Sequence, residues 1–239
     1  MAQTPDPSHY DGHDLEALAD MPRYNAWIDS HFAPWLHGRV IEVGAGIGNF
    51  SATWLPRATA AVLVEPAANL APRLTSRFAA DRRVQVANTL LADLPTELRA
   101  APFDAAVMVN VLEHIADDAA VLRQLHGLLR PGGAVCVFVP ALPALFGSLD
   151  EVFDHVRRYR KLELADRMRA AGFEVERAGY MDSAGAIPWF VAGRLLRQRR
   201  LDGRATVVYD RAVVPVVRAL EAVVAPPVGK SLWAVGVRL

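Results

Sequence analysis

The sequence predicts an α/β protein whose mostly parallel sheet is covered by helices on both faces. Three observations lead there. Short apolar runs rich in β-branched residues alternate with segments of helical period, these runs are apolar throughout rather than at every second residue, and the first ends in a glycine-rich turn that opens a helix. A strand buried on both sides has no solvent face, so its sequence loses the alternation of a half-exposed strand.

Residues 1–13, polar and carrying Pro5 and Pro7, predict a frayed leader. From residue 14 to 35, Leu15, Leu18, Met21, Trp27, Ile28 and Phe32 recur at helical spacing, which predicts one or two helices broken near Pro22. Residues 39–43 form the first strand, Gly44-Ala45-Gly46-Ile47-Gly48 the turn, and residues 49–55 a helix. A second strand, 60–64, stops at Glu65-Pro66 and precedes a helix at 68–80. Strands three to five fall at 84–87, 103–109 and 134–139, with a helix at 117–129 stopped by Pro131-Gly132-Gly133. Past Pro140 the pattern loosens. Helical spacing returns at 161–171, 187–198 and 212–224, and strands are predicted at 173–180 and 232–237. Neither an internal repeat nor a low-complexity linker interrupts the chain, so a single domain over residues 1–239 is expected.

Bulk properties exclude several classes. Apolar residues make up 52% and charged residues 22%, enough for a packed core and too apolar for disorder. With 26 basic and 26 acidic residues the formal net charge is zero, so no general field gathers nucleic acid. The Arg-Gln-Arg-Arg cluster at 197–200 fits a solvated helix end better than a phosphate-binding patch. The lone cysteine, Cys136, sits in an apolar run as a small core residue and precludes an internal disulfide. No basic start with an apolar run marks a secretory signal, and no apolar stretch is long enough to cross a membrane. A cytoplasmic, reducing setting is the expectation.

Gly44-x-Gly46-x-Gly48 joins a buried strand to a helix, where side chains would keep a ligand from the backbone. Glu65 closes the next strand, at the same carboxyl edge, where a carboxylate can accept from both hydroxyls of a ribose. A dinucleotide fold would want Gly-x-Gly-x-x-Gly with pyrophosphate on the helix N-terminus. Here the spacing differs, and Glu42 just before the turn would repel a pyrophosphate while favouring a cationic ligand. Electrostatics thus prefers S-adenosylmethionine, with its ammonium and sulfonium, over NAD.

The stretch Val40-Ile41-Glu42-Val43-Gly44-Ala45-Gly46-Ile47-Gly48-Asn49 resembles the first motif of the class I S-adenosylmethionine-dependent methyltransferases. Glu65 is similar to their ribose-binding acid, Asn110-Val111-Leu112-Glu113-His114-Ile115 to the segment after their fourth strand in the small-molecule branch, which includes ubiquinone-type O-methyltransferases, and Arg130-Pro131-Gly132-Gly133 to their turn before strand five. The resemblance covers about residues 38–140. It implies a Rossmann-like three-layer sandwich with a seven-stranded sheet in the order 3-2-1-4-5-7-6, the seventh strand antiparallel. It also implies a helical cap (1–37), a donor-binding half (38–140) and an acceptor-side half (141–239). The donor site is expected from Glu42, Gly44, Ala45, Gly46, Gly48, Asn49, Glu65, Pro66, Leu90, Leu91, Asn110, Val111 and His114. Where many relatives carry an Asp for the adenine amino group, this chain has Leu90. Leu90 and Leu91 would then hold the ring by apolar contact and a backbone amide, or Asn88 would compensate.

After strand five, Asp150, Asp154, His155, Arg157, Arg158 and Tyr159 resemble a loop found in a subset of the family, and topology puts it over the methyl group. His155 can take a proton from a hydroxyl acceptor, with Asp150 or Asp154 orienting it. Arg158 can pin a carboxylate or phosphate and Tyr159 can stack or hydrogen-bond. The plainer alternative is an ion-pair lid of Asp, Arg and Tyr with His155 as a helix cap. For His114, lining the donor pocket is favoured over catalysis. His9, His13, His31, His37 and His126 show no ligand spacing, so no metal is expected. Tyr10, Tyr24 and Trp27 either close over the donor or, for Trp27, belong to the core.

Methyl transfer to an oxygen or nitrogen of a small molecule is the activity expected. A donor-binding regulatory protein and an NAD-dependent oxidoreductase are the alternatives. The intact Glu42, glycine turn and Glu65 disfavour the first, the glycine spacing the second. The apolar segments at 187–192 and 213–217 offer a seat for a lipophilic acceptor, a second copy of the chain in a homodimer, or a membrane surface beside Arg194 and Arg197. Burial in an acceptor-side cap is the default expectation for them.

Overall fold

A computed structural model describes residues 21–200 and 202–239. The leader, the start of the helical stretch from residue 14, and with them His9, Tyr10 and His13, lie outside the described residues.

Seven strands form one sheet: β1 (Gly38–Val43), β2 (Ala58–Val64), β3 (Val84–Ala87), β4 (Phe103–Val109), β5 (Leu129–Pro140), β6 (Phe173–Met181) and β7 (Ser231–Arg238). Their order is β3-β2-β1-β4-β5-β7-β6, and β7 runs antiparallel to both neighbours while β1 to β5 pair in parallel. This is the architecture the family resemblance implied. Val40 pairs with Ala105 and Glu42 with Val107, so β1 and β4 lie side by side where strand order reverses. Connections leave that point in opposite directions, opening a crevice at the carboxyl edge.

Alternate residues of each strand feed two separate cores. Ile41, Val43, Val62, Val64, Val135 and Val137 pack on one face. Val40, Ala61, Leu63, Val107, Cys136 and Phe138 pack on the other. Both parities must be apolar, which is why the strands carry no alternation. Cys136 is fully buried, and burial pushes its thiol pKa up, so it acts as a packing residue.

Helix α1 (Pro22–Phe32) begins at Pro22, which is tolerated because a first-turn N–H has no helical partner to lose. Its Trp27, Ile28 and Phe32 belong to the second core. Helices α2 (Ser51–Trp54) and α3 (Ala71–Phe78) are shorter than their apolar spacing suggested. A short α4 (Thr96–Arg99) precedes β4. The N-cap of α5 (Asp118–Leu128) is Asp117, whose carboxylate accepts the Ala120 N–H at 2.9 Å. β5 starts directly at Leu129, so Pro131-Gly132-Gly133 lies within the strand's first residues. A five-residue α6 (Ser148–Val152), unforeseen in the sequence, precedes α7 (Lys161–Ala170).

The region between β6 and β7 departs most from expectation. Helix α8 (Ala186–Phe190) runs into a π turn, Val191–Leu195. Helix α9 (Gly203–Val208) joins α10 (Val214–Val223) through a second π turn, Tyr209–Val213. Each π turn adds a residue and rotates the following face, which counting at a period of 3.6 cannot register. Burial, the default expectation here, holds for Val214 and Val217 but fails for Ile187 and Val216, which are 72% and 58% exposed.

Gly48, third glycine of the turn, has φ of +80°, and a Cβ there would meet Phe78 Cε2 at 2.4 Å and Leu74 Cδ1 at 2.9 Å. It permits α3 to close on the turn. Gly48→Ala is expected to destabilise by about 1–3 kcal/mol through overpacking and backbone strain. Thermal unfolding will show this as a midpoint several degrees lower; an unchanged midpoint would contradict the packing role.

Candidate active site

The carboxyl ends of β1, β2 and β4 surround a cavity of about 610 Å³, ample for a nucleoside-sized ligand. The turn after β1 is lashed to β2, with Gly44 and Ala45 N–H groups donating to the Val64 carbonyl at 2.8 and 3.1 Å. Gly44 has φ of +71°, and a Cβ would lie 2.4 Å from Val111 Cγ2, so only glycine fits. Glu65 ties both walls together. Its Oε2 accepts the Gly46 N–H at 2.7 Å and its Oε1 the Ala67 N–H at 2.9 Å. Each carboxylate oxygen retains a lone pair for a ligand hydroxyl. Burial raises the pKa of Glu65, against the pull of those two N–H groups.

Glu42 is 2% exposed and accepts Trp54 Nε1–H at 3.0 Å. Burial pushes its carboxyl up to about 7, opposed by hydrogen bonds from Ser51 and Trp54 and assisted by the charge of Glu65. A buried carboxylate poised in this way gains most from a cationic ligand.

Glu42, Gly44, Ala45, Gly46, Asn49, Glu65, Pro66, Leu90, Leu91, Asn110, Val111 and His114 all line this cavity. Gly48 does not. Its backbone serves the packing of α3, which corrects its placement among the ligand-facing residues. Asn49 presents its Oδ1 to Arg77 at 2.7 Å. Asn88 donates to the Glu65 and Pro66 carbonyls and is absent from the cavity wall, so the wall beyond β3 comes from residues 89–92. Tyr24 lines the cavity, whereas Trp27 is core.

A second cavity of about 70 Å³ adjoins the first, and Tyr24, Asn110 and Phe153 line both. Asn110 ends β4 with a left-handed φ of +53°, a strained conformation that asparagine tolerates better than most residues. The rest of the second wall is Phe138, Pro140, His155, Arg158, Trp189, Lys230 and Ser231.

Asp150, not Asp154, orients His155. Its fully buried Oδ1 lies 2.9 Å from His155 Nδ1 and accepts Arg158 Nε–H at 2.6 Å, while Oδ2 accepts the Gly147 N–H at 3.0 Å. Burial disfavours ionisation of Asp150, but His155 and Arg158 together hold its carboxyl below the usual range. Arg158 also donates to the Ala141 carbonyl at 2.9 Å and lies 4.9 Å from the Trp189 ring centre. Tyr159 faces elsewhere. It is fully buried, outside both cavities, and its hydroxyl donates to Asp118 at 2.8 Å, so the structure does not bring it to the acceptor. Arg157 joins the same Asp118 at 2.9 Å.

His114 packs edge-on against His155 with ring centres 4.9 Å apart. Burial, then the neighbouring His155, hold its imidazole down to about 4, so it is neutral at physiological pH. His155 Nε2 lies 3.8 Å from Oε1 of the fully buried Glu113. Among the described residues, Glu113, His114 and His155 are the group whose possible ligand atoms gather within 4.8 Å, a grouping that spacing among the other histidines did not suggest.

Phe153 and Trp189 fall within the segments expected to form the acceptor pocket, residues 141–160 and 180–200, though neither was singled out, and Lys230 was missed. Lys230 pairs with Asp182 at 2.9 Å and sits 4.8 Å from the Tyr24 ring centre. Its rarity was the available signal: the chain has only two lysines, Lys161 and Lys230, and one immediately precedes the final strand.

The chain matches the methyltransferase-domain family over residues 13–178. It is 37% identical over 113 residues to the ubiquinone biosynthesis O-methyltransferase of Xylella fastidiosa (strain 9a5c), a match covering 44% of this chain and 42% of that protein. With the enzyme of the same description from Xanthomonas axonopodis pv. citri the identity is 31% over 183 residues, covering 66% and 70%. Among solved structures, the N-methyltransferase NodS from Bradyrhizobium japonicum, in complex with S-adenosyl-L-homocysteine, is similar with a TM-score of 0.57 at 13% identity, covering 95% of this chain and 89% of that one. That likeness is one of fold. The family match runs from ahead of α1 through all five parallel strands and into β6, and the chain therefore belongs to the methyltransferase-domain family.

Proposed function

We propose that this methyltransferase acts on a hydroxyl oxygen of a small, planar acceptor, with His155 as the proton acceptor. One observation carries the reading: His155, held by Asp150, lines a small aromatic cavity that shares Tyr24, Asn110 and Phe153 with the donor cavity. Relatives named as O-methyltransferases support it. An amine acceptor would need no such base, because its lone pair is available without deprotonation at the transition state.

When bound, S-adenosylmethionine supplies a methyl carbon activated by its sulfonium. Glu42 would face its positive charge, Glu65 would accept from its ribose, and Leu90 and Leu91 would give the adenine an apolar seat. Asp150 accepts a hydrogen bond from Nδ1–H of His155, which leaves Nε2 unprotonated to receive the acceptor's proton. The resulting imidazolium lies between two buried carboxylates, Asp150 and Glu113. Phe138, Phe153, Trp189 and Tyr24 exclude water and hold a ring by its faces and edges. Arg158, its charge already paired, positions Asp150 and Trp189 rather than pinning an anion. The chain works as one catalytic unit in the cytoplasm, α1, the donor half and the acceptor half sharing these two cavities.

Calorimetric titration tests the donor site. The wild type is expected to bind S-adenosylmethionine and its demethylated product but not NAD, with binding at least about tenfold weaker in Glu65→Ala from loss of two charge-assisted hydrogen bonds. Absence of binding up to millimolar donor would refute the reading.

His155→Asn is expected to lower kcat by about 10²–10⁴-fold with donor affinity unchanged. An unaltered kcat would leave His155 a purely structural role.

Donor affinity should also depend on pH. Because the ionised form of Glu42 meets the cation and its carboxyl titrates at about 7, binding weakens as pH falls through 7. The loss between pH 8 and pH 6 is about tenfold, with proton release on binding below 7. Glu42→Gln removes that component, leaving only the slope due to the donor's own amine.

A further inference from the structure

Ten of the fourteen large apolar side chains that are exposed among the described residues fall between residues 187 and 228. Seven of them lie along two helical runs. Ile187 and Leu195 are 72% and 63% exposed on α8 and its π turn, and Leu196 follows at 64%. On α10, Val216, Leu220 and Val223 recur at helical spacing and are 58%, 66% and 85% exposed. A stripe at that spacing is the buried side of an amphipathic helix with nothing yet against it.

Charge identifies what it meets. The chain as a whole is neutral, but residues 186–228 hold seven arginines and three carboxylates. Two of those carboxylates turn inward. Asp210 is buried and accepts the Arg23 and Tyr24 N–H groups, and Glu221 accepts the Asp182 and Ser183 N–H groups. Arg194, Arg197, Arg199, Arg200, Arg204 and Arg211 are exposed, with Asp202 the one exposed carboxylate of the segment. Apolar side chains flanked by arginine are the pattern of a helix lying in the headgroup layer of an anionic bilayer. No helix among the described residues is long and apolar enough to cross a membrane, so the contact is with the surface. A second copy fits poorly, since a two-fold interface would set this basic patch against itself.

We propose that the segment from α8 to α10 is a docking surface for an anionic lipid bilayer, a property separate from the methyl-transfer chemistry. Its position has a consequence for access. Trp189 of α8 and Lys230, whose Nζ lies 5.9 Å from the Tyr209 ring centre, both line the second cavity, so the docked face lies beside the acceptor's site. A lipophilic acceptor would reach that cavity from the membrane.

The test is co-sedimentation of the full chain with vesicles of phosphatidylcholine alone and of equal phosphatidylcholine and phosphatidylglycerol, at low and high salt. Binding to the anionic vesicles only, weakened by salt, is expected. Each arginine near the surface contributes about fivefold, so Arg197→Glu with Arg199→Glu should weaken binding by more than about tenfold. Leu195→Glu with Leu220→Glu should do the same, while calorimetric donor binding stays at the wild-type value and certifies the fold. Failure of the wild type to sediment with anionic vesicles, or variants that bind as the wild type does, would overturn the proposal. So would a dimer in solution that Leu220→Glu dissociates, which would assign the face to a second copy.

Discussion

A single buried carboxylate, Asp150, organises the acceptor side of the molecule. His155, Arg158 and the Gly147 backbone converge on its two oxygens, and Trp189 approaches at 3.4 Å. Burying an ion pair is costly unless the surrounding donors satisfy its remaining lone pairs, and here they do. Asp118, 1% exposed, has the matching role in the adjacent layer, receiving Arg157, Tyr159 and Arg167. Neighbouring residues of the loop are thus drawn to two different anchors, His155 and Arg158 to one and Arg157 and Tyr159 to the other. That division keeps the imidazole in the wall of the second cavity.

The parallel half of the fold was legible because its physics is local. Each of the first five strands is a short apolar run between turn residues, and Gly44, Gly46, Glu42 and Glu65 carry a spacing that few other chemistries require. Only the contribution of Gly48 needed coordinates, since its constraint comes from Phe78 and Leu74, far along the chain. The acceptor side was legible in composition but not in arrangement. Asp150, His155 and Arg158 stood out, yet Tyr159 belonged to the same string and faces the core instead. Lys230 and Trp189 reach the cavity through tertiary packing, and the π turns near α8 and α10 erase the periodicity that would have announced their faces.

The two cavities have opposite electrostatic character. Two buried acids, Glu42 and Glu65, serve the donor side, and their mutual repulsion helps to keep Glu42 near the neutral end of the carboxylate range. On the other side every charge is already answered, Arg158 by Asp150 and Lys230 by Asp182, with aromatic rings between. A cation is drawn to the first and a neutral ring to the second, so orientation of the two reactants follows from charge before any close contact forms.

Strand order also governs how the molecule is made. β7 lies between β5 and β6, and β6 has no other hydrogen-bonded neighbour in the sheet. As the chain leaves the ribosome, β6 emerges some fifty residues before the strand that joins it to the rest. The donor half can assemble during synthesis, while the acceptor half waits for a late strand insertion with two open edges exposed until then. Loss of residues from Ser231 onward would therefore do more than shorten the protein: it would leave a nascent enzyme with its donor half folded and its substrate side unmade.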